Sequence, residues 1–310
     1  MSSRRRAVGL VATVCVLMLG GRAESAGPQV PTVDRARALR GSFGTYDGEP
    51  RRADGRVDVE RLVSELVELK ANTYHWLVWH RETDWEDLQR FLPLARRKNI
   101  LVWVCLVPPS ESPPHTRQYS EPFRLDYRRW AVEIAELGLR EPNLVAWSVD
   151  DFTHNLRFFT PEYLGKALAE ARKINPKVAF VPCSYSPRVT PQFAEAYGGL
   201  IDGILFPYRA ELTGANLTDP TLVESEVATL RKILGPSVPI VVDVYASGHS
   251  RLGSSTPEYV EAVMTRAIRV ADGVHVYCHH SPRNGSEKAR VIKRLFHAWS
   301  VDPGIPSPGR

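Results

Sequence analysis

Cysteine is scarce in this 310-residue chain: Cys15, Cys105, Cys183 and Cys278 are the whole supply, and they sit inside apolar stretches. That distribution excludes a disulfide scaffold and predicts buried thiols that pack as small core residues. Long apolar runs are nearly absent as well. The one uncharged run, Ala7 to Gly21, has 15 residues, short of the ~20 that cross a bilayer. Charge of one sign is weak, at 40 Lys and Arg against 35 Asp and Glu. No Gly-rich nucleotide turn follows the first strand, no His-x-His stands on that strand, and no His-Glu-x-x-His occurs anywhere. These gaps argue against a dinucleotide fold and against the usual zinc hydrolases. What remains is a chain with 43% apolar residues, ample for a full core.

Arg4, Arg5 and Arg6 precede the 15-residue run, and Gly21-Arg22-Ala23 or Glu24-Ser25-Ala26 offers small residues for cleavage. This three-part layout predicts a secretory signal peptide over residues 1–26 and a secreted or periplasmic protein. Cleavage after Ala26 removes four arginines and one glutamate, lowering the formal charge from +5 to +2. The basic excess belongs mainly to the export segment, so neither a nucleic-acid partner nor membrane insertion after signal removal is expected. Residues 27–40 read as a linker, 41–300 as the folded domain and 301–310 as a flexible tail.

Within 41–300, apolar runs bounded by turn residues begin near Ser42, Thr73, Ile100, Leu144, Val178, Ile201, Pro239 and Gly273, about 33 residues apart on average. Helical patterns lie between them. Thr160-Pro161, Thr190-Pro191 and Thr256-Pro257 each supply a capping hydroxyl and a proline for the first turn, and Asp219-Pro220 reads the same way. Runs such as Ile100 to Val107 are apolar on both faces, as a parallel sheet under helices requires. Eight such pairs predict a single (β/α)8 TIM barrel.

Catalytic groups in these barrels stand at the C-terminal ends of the strands. Reading those ends in order collects Tyr46 and Asp47, then Trp79, His80 and Arg81, then Pro108 to Glu111, then Asp150 and Asp151, then Tyr185, then Tyr208, Arg209 and Glu211, then Asp243 and Tyr245, then His279 and His280. The apolar strand Leu144 to Val149 runs directly into Asp150-Asp151. Two carboxyl groups this close cannot both ionise cheaply, so one is expected to hold a proton near neutral pH and act as an acid. The aromatics suit the flat faces of sugar rings, while Trp103 and Trp147 lie within strands and read as core. Tyr46, Asp47, Trp79, His80, Arg81, Tyr185, Tyr208, Arg209, Glu211, Asp243, Tyr245 and His279 form the expected carbohydrate-binding set.

An aspartate pair ending the fourth strand resembles the family 84 O-GlcNAc hydrolases and the hyaluronidase-like β-N-acetylhexosaminidases. The resemblance implies a glycoside hydrolase without a cofactor, acting on N-acetylhexosaminides with help from the substrate's own N-acetyl group. Asp150 would orient that group and Asp151 would protonate the leaving oxygen. An ordinary two-carboxylate scheme, with Glu211 or Asp243 paired to Asp151, is the alternative within the class. Outside it stand a metal-dependent hydrolase using Asp150, Asp151, His154, His80, His279 and His280, and a non-catalytic carbohydrate-binding barrel. Two long loops, Pro108 to Glu121 and Ser247 to Ser255, are candidates for walls of the site.

Overall fold

The computed structural model describes residues 34–301. The expected signal peptide, most of the expected linker and the tail beyond Val301 lie outside the described residues. Eight strands alternate with eight helices: β1 (Ser42–Tyr46), α1 (Val59–Leu69), β2 (Thr73–Val78), α2 (Asp84–Arg96), β3 (Leu101–Leu106), α3 (Tyr127–Arg140), β4 (Leu144–Val149), α4 (Pro161–Ile174), β5 (Ala179–Phe180), α5 (Pro191–Tyr197), β6 (Ile204–Tyr208), α6 (Val223–Leu234), β7 (Ile240–Tyr245), α7 (Pro257–Val270), β8 (Gly273–Tyr277) and α8 (Glu287–Val301). All the ladders joining these eight strands are parallel, running from β5 back to β1 and on through β8 and β7 to β6. A parallel bridge between Cys183 and Leu205 joins the two ends, with Ser184 N donating to Leu205 O at 2.8 Å. The result is the single (β/α)8 barrel expected.

The helix starts follow the capping chemistry. Thr160, Thr190 and Thr256 accept hydrogen bonds from the backbone N–H groups of Tyr163, Phe193 and Tyr259, satisfying donors that the first turn leaves free. Asp219 is the exception. Its carboxylate takes Thr221 N at 2.8 Å in a local turn, and α6 begins only at Val223. On α1, Val59, Leu62, Val63, Leu66 and Leu69 form one buried face against the sheet, the spacing that packs a helix on a barrel. Among the described residues no helix is long and apolar enough to cross a membrane.

Strand side chains alternate between two environments. On β3, Val102, Val104 and Leu106 join the helix-facing core, whereas Trp103 and Cys105 point into the barrel. The lower lumen is filled by Trp103, Ala146, Ala179, Val181, Leu205 and Val241, with Leu39 packed against them. Leu39 belongs to a 3-10 turn over Arg35–Leu39, tied down by Arg35 on Asp202 at 2.7 Å. The last part of the expected linker is therefore a floor of the barrel, held in place because Leu39 removes apolar surface from water.

Above that floor lies a polar layer. His75 and His275 are fully buried with ring centroids 6.1 Å apart, and Trp103 stands 4.4 Å from His275. Gly44 makes room for this stack, since a Cβ there would come within 2.9 Å of the His275 ring. Desolvation holds the His75 imidazole neutral down to about pH 3, and burial followed by the neighbouring His75 holds His275 well below its ordinary value. The unfolded chain takes up these protons near pH 6.5, so stability is complete above that pH and is lost as pH falls through it toward the folded-state value. His75 alone is expected to cost about 2 kcal/mol at pH 5. Denaturant unfolding at pH 8 and pH 5 measures this, and His75→Phe is expected to flatten that share of the slope; an unchanged slope contradicts the assignment.

Candidate active site

The alternation that fills the lumen also selects the rim. Tyr46 on β1, Trp79 beyond β2, Asp150 beyond β4, Tyr185 beyond β5, Arg209 beyond β6, Asp243 and Tyr245 on β7 and Tyr277 on β8 each share the phase of the inward positions below them. They line a cavity of about 320 Å³ at the C-terminal mouth, together with Asp47, Leu77, His80, Glu111, Asp151, His154, Cys183, Pro207, His249 and Arg251.

Three carboxyl groups converge in it. One oxygen each from Glu111, Asp150 and Asp151 lie within 4.8 Å of one another. Asp150 continues the inward phase of Ala146 and Ser148, and Asp151 is brought to the same side by a left-handed backbone at φ +46°. Glu111 arrives from the loop after β3. That loop is tied to the β4 end by Asn155, which accepts from Ser110 N and donates to Ser110 Oγ and Asp151 O, all at 2.9 Å.

Their environments push the protons apart. Desolvation, then the charges of Asp151 and Glu111, raises Asp150 well above the carboxylate range. Desolvation, then Asp151, raises Glu111 too. Desolvation acts on Asp151 as well, but it is outweighed by hydrogen bonds from His154 and Tyr185 and by the charges of His154 and Arg209. The Tyr185 hydroxyl donates to Asp151 Oδ1 at 2.6 Å, and the His154 ring stacks 4.6 Å from the Tyr185 ring. These surroundings favour the charged form of Asp151 and the protonated form of Asp150.

Asp243 is a second proton holder. It is 1% exposed, accepts from the Tyr46 hydroxyl at 2.6 Å through Oδ2, and finds no partner for Oδ1 among the described residues. Desolvation pushes it up to about 8; the Tyr46 bond opposes this and the charge of Asp150 adds to it. A carboxyl held protonated near pH 7 is a hydrogen-bond donor and not a nucleophile, so in the two-carboxylate alternative Asp243 could serve only as the acid. Across the mouth, Asp47 adopts φ +57° and meets His80 Nε2 at 2.9 Å, raising the imidazole above its usual value. Trp79 is oriented by its Nε1 on Gln118 Oε1 at 2.9 Å.

Four expected residues lie elsewhere. Arg81 is exposed, because Asp84 Oδ2 gathers the backbone N–H groups of Trp79, His80 and Arg81 into a turn that sends the Arg81 side chain outward. Tyr208 has the outward phase of β6 and ties its hydroxyl to Asp219 O at 2.6 Å. Glu211 stays behind Arg209, holding its guanidinium. His279 turns behind the sheet, where Thr45 Oγ1 and Glu65 Oε2 meet its two ring nitrogens at 2.9 and 3.1 Å. His280 likewise bonds Ala246 O, so neither histidine joins the carboxylates as a metal ligand. Of the other pocket residues, Glu111 stands in the sequence reading only as part of the strand end Pro108 to Glu111, and His154 only as a candidate metal ligand. His249 and Arg251 stand there only as members of the long loop Ser247 to Ser255, and Cys183 and Tyr277 carry no sequence signal for the site.

No family model matches the sequence, and no curated protein matches it. Solved structures do match by fold. The β-D-glucuronidase of Dictyoglomus thermophilum superposes with a TM-score of 0.55 at 18% identity, covering 86% of this chain and 51% of that one. GH5_18 of Streptomyces cattleya, solved with GlcNAc, gives 0.58 at 12% identity over 86% and 82%. Endoglucanase Cel5A of Pseudomonas stutzeri gives 0.56 at 8% identity over 82% and 93%. This chain spans about half the length of the glucuronidase. At these identities the likeness is one of fold, the barrel on which glycoside hydrolases of several families are built.

Tyr46→Phe is expected to move the Asp243 titration above about pH 8, since it deletes the one donor that favours the carboxylate. Carboxyl-labelled NMR across pH 6 to 10 reads this out; a downward move refutes the role given to the Tyr46 hydroxyl.

Proposed function

We propose that this chain is a glycoside hydrolase whose acid is Asp150 and whose ionised partner is Asp151. The observation that carries the reading is the convergence of Glu111, Asp150 and Asp151 within 4.8 Å in an aromatic-walled cavity, with their protons held unequally. Trp79, Tyr245 and Tyr277 offer rings to the apolar faces of a sugar. Asp150 donates its proton to the glycosidic oxygen as the bond to the anomeric carbon breaks.

The spacing bears on stereochemistry. Inverting enzymes separate their carboxyl groups by roughly 6.5–9.5 Å to admit a water, and retaining ones by about 5 Å. The nearest oxygens of the cluster, within 4.8 Å of one another, favour the retaining scheme. The attacking group is then either the Asp151 carboxylate or, in the substrate-assisted scheme, the N-acetyl oxygen of an N-acetylhexosaminide with Asp151 orienting it. Aryl 2-acetamido glycosides set beside their 2-hydroxy counterparts separate the two, because only the second scheme requires the amide. The proposal also places the enzyme outside the cytoplasm, on the strength of the layout of residues 1–26.

The same carboxylate cluster has the chemistry to hold a divalent ion, which is the rival reading. Asp150→Asn and Asp151→Asn are each expected to lower kcat/KM on a cleaved aryl glycoside by roughly 10²- to 10⁴-fold, with no loss after chelation. Full activity in both variants would sink the site, and a large loss on chelation would replace the proposal with the metal-dependent one. The pH profile is expected to fall on the alkaline side as Asp150 loses its proton, and Asp150→Asn removes that limb.

A further inference from the structure

We infer that the sugar bound in this cavity carries an anionic substituent, a carboxylate or a sulfate, and that Arg251 is the residue that recognises it. The inference rests on the reading of the cavity as a sugar site and narrows its substrate class. The basic side chains lining the cavity are not equivalent. His80 has Asp47, His154 has Asp151, and Arg209 has Glu211. Arg251 lines the same space, yet among the described residues no carboxylate lies within 4.0 Å of it.

Its position is built. Gly248–His249 pairs with Gly253–Ser254 as a short antiparallel hairpin after β7, and Arg251 stands at the tip. The base is pinned by Ser255 N on Ser247 O at 3.2 Å and by Lys288 Nζ on Ser255 Oγ at 3.1 Å and Ala246 O at 3.2 Å. At the tip, the His249 Nδ1 accepts the backbone N–H groups of Arg251 and Leu252 at 3.1 and 3.2 Å. That bond pattern leaves the ring proton on Nε2, so a neutral His249 is a donor. Arg209 completes the group. Its Nε and Nη2 both bind one oxygen of Glu211, and its face lies 4.3 Å above the Tyr185 ring, which fixes the guanidinium and leaves Nη1 outside that pair.

Arg251, Arg209 and His249 thus present donors from the β6 and β7 side of the mouth, and Arg251, exposed to solvent, has no carboxylate partner among the described residues. A neutral sugar offers that guanidinium only neutral acceptors. A carboxylate or sulfate answers it with a charge-assisted hydrogen bond, for which the planar guanidinium is well shaped.

The test uses the full chain and its Arg251→Gln and Arg251→Lys variants. D-glucuronate, D-galacturonate and D-glucose 6-sulfate are titrated calorimetrically beside D-glucose and D-galactose, and aryl uronides and sulfated glycosides are assayed beside neutral ones. Wild type is expected to prefer an anionic sugar over its neutral parent, and Arg251→Gln to reduce that preference roughly 10- to 100-fold, with Arg251→Lys retaining part of it. The carboxylate and sulfate arms identify which substituent is read. Equal affinity for charged and neutral sugars, or a preference that survives Arg251→Gln, overturns the inference. Hydrolysis confined to neutral glycosides overturns it while leaving the hydrolase reading intact. Arg251-dependent binding without hydrolysis of any glycoside supports it while sinking the hydrolase. Absence of binding by every sugar overturns both.

Discussion

A strand in a closed parallel barrel has two directions in which to send a side chain, and closure makes them absolute. Outward means the apolar seam under the helices, where Val102, Val104 and Phe206 are buried; inward means the lumen or the mouth. Seven of the eight strands therefore deliver an inward residue at or just beyond their ends to one small volume, and β3 contributes through Glu111 in the loop that follows it. Tyr46, Asp150, Tyr185, Arg209, Asp243 and Tyr245 meet there, although they are spread over some two hundred positions of sequence. The bridge between Cys183 and Leu205 matters for the same reason, since it brings Tyr185 and Arg209 close enough to stack.

Convergence alone would give a crowd of acids with similar affinities for protons. What differentiates them is the supply of donors. Asp151 has a phenol and an imidazole, which favour its charged form; Asp150 has chiefly desolvation and two charged neighbours, which favour its protonated form. Asp243 has a single phenol in a dry environment, too little to keep it ionised. The strands decide who is present, and the loops decide each group's proton. His154 and Asn155 come from the turn after β4, Glu111 from the loop after β3, and Glu211 from the turn after β6.

Much of this was legible beforehand. The eight apolar runs and the Thr-Pro caps were enough to place the barrel and its strand ends, because parallel strands must be apolar and helix starts need acceptors. Phase was harder to read. Ile204 to Tyr208 is apolar throughout, so nothing in that run says that Tyr208 faces the helices and Arg209 the mouth. His279 was misplaced because the chain leaves strand geometry after Tyr277. Glu111 stands in the collected strand end Pro108 to Glu111, but its place beside Asp150 is not readable for a related reason. Beyond the last ladder pair no period applies, and its loop is held through Ser110 by Asn155, 45 residues further on, a tie invisible in one dimension.

The left-handed turn at Asp151 shapes how this site can change over time. Few residues occupy φ +46° without strain: Gly does so freely, Asn and Asp with little cost, and others at roughly 1–2 kcal/mol. The residue that carries the charge is thus also the residue that makes the bend. A lineage giving up the chemistry has a short exit, through Asn or Gly, that removes the charge and keeps the barrel mouth intact. Lengthening the carboxylate to Glu carries a backbone cost of roughly 1–2 kcal/mol that Asn and Gly largely escape, so the bend makes loss of the charge easier than its exchange.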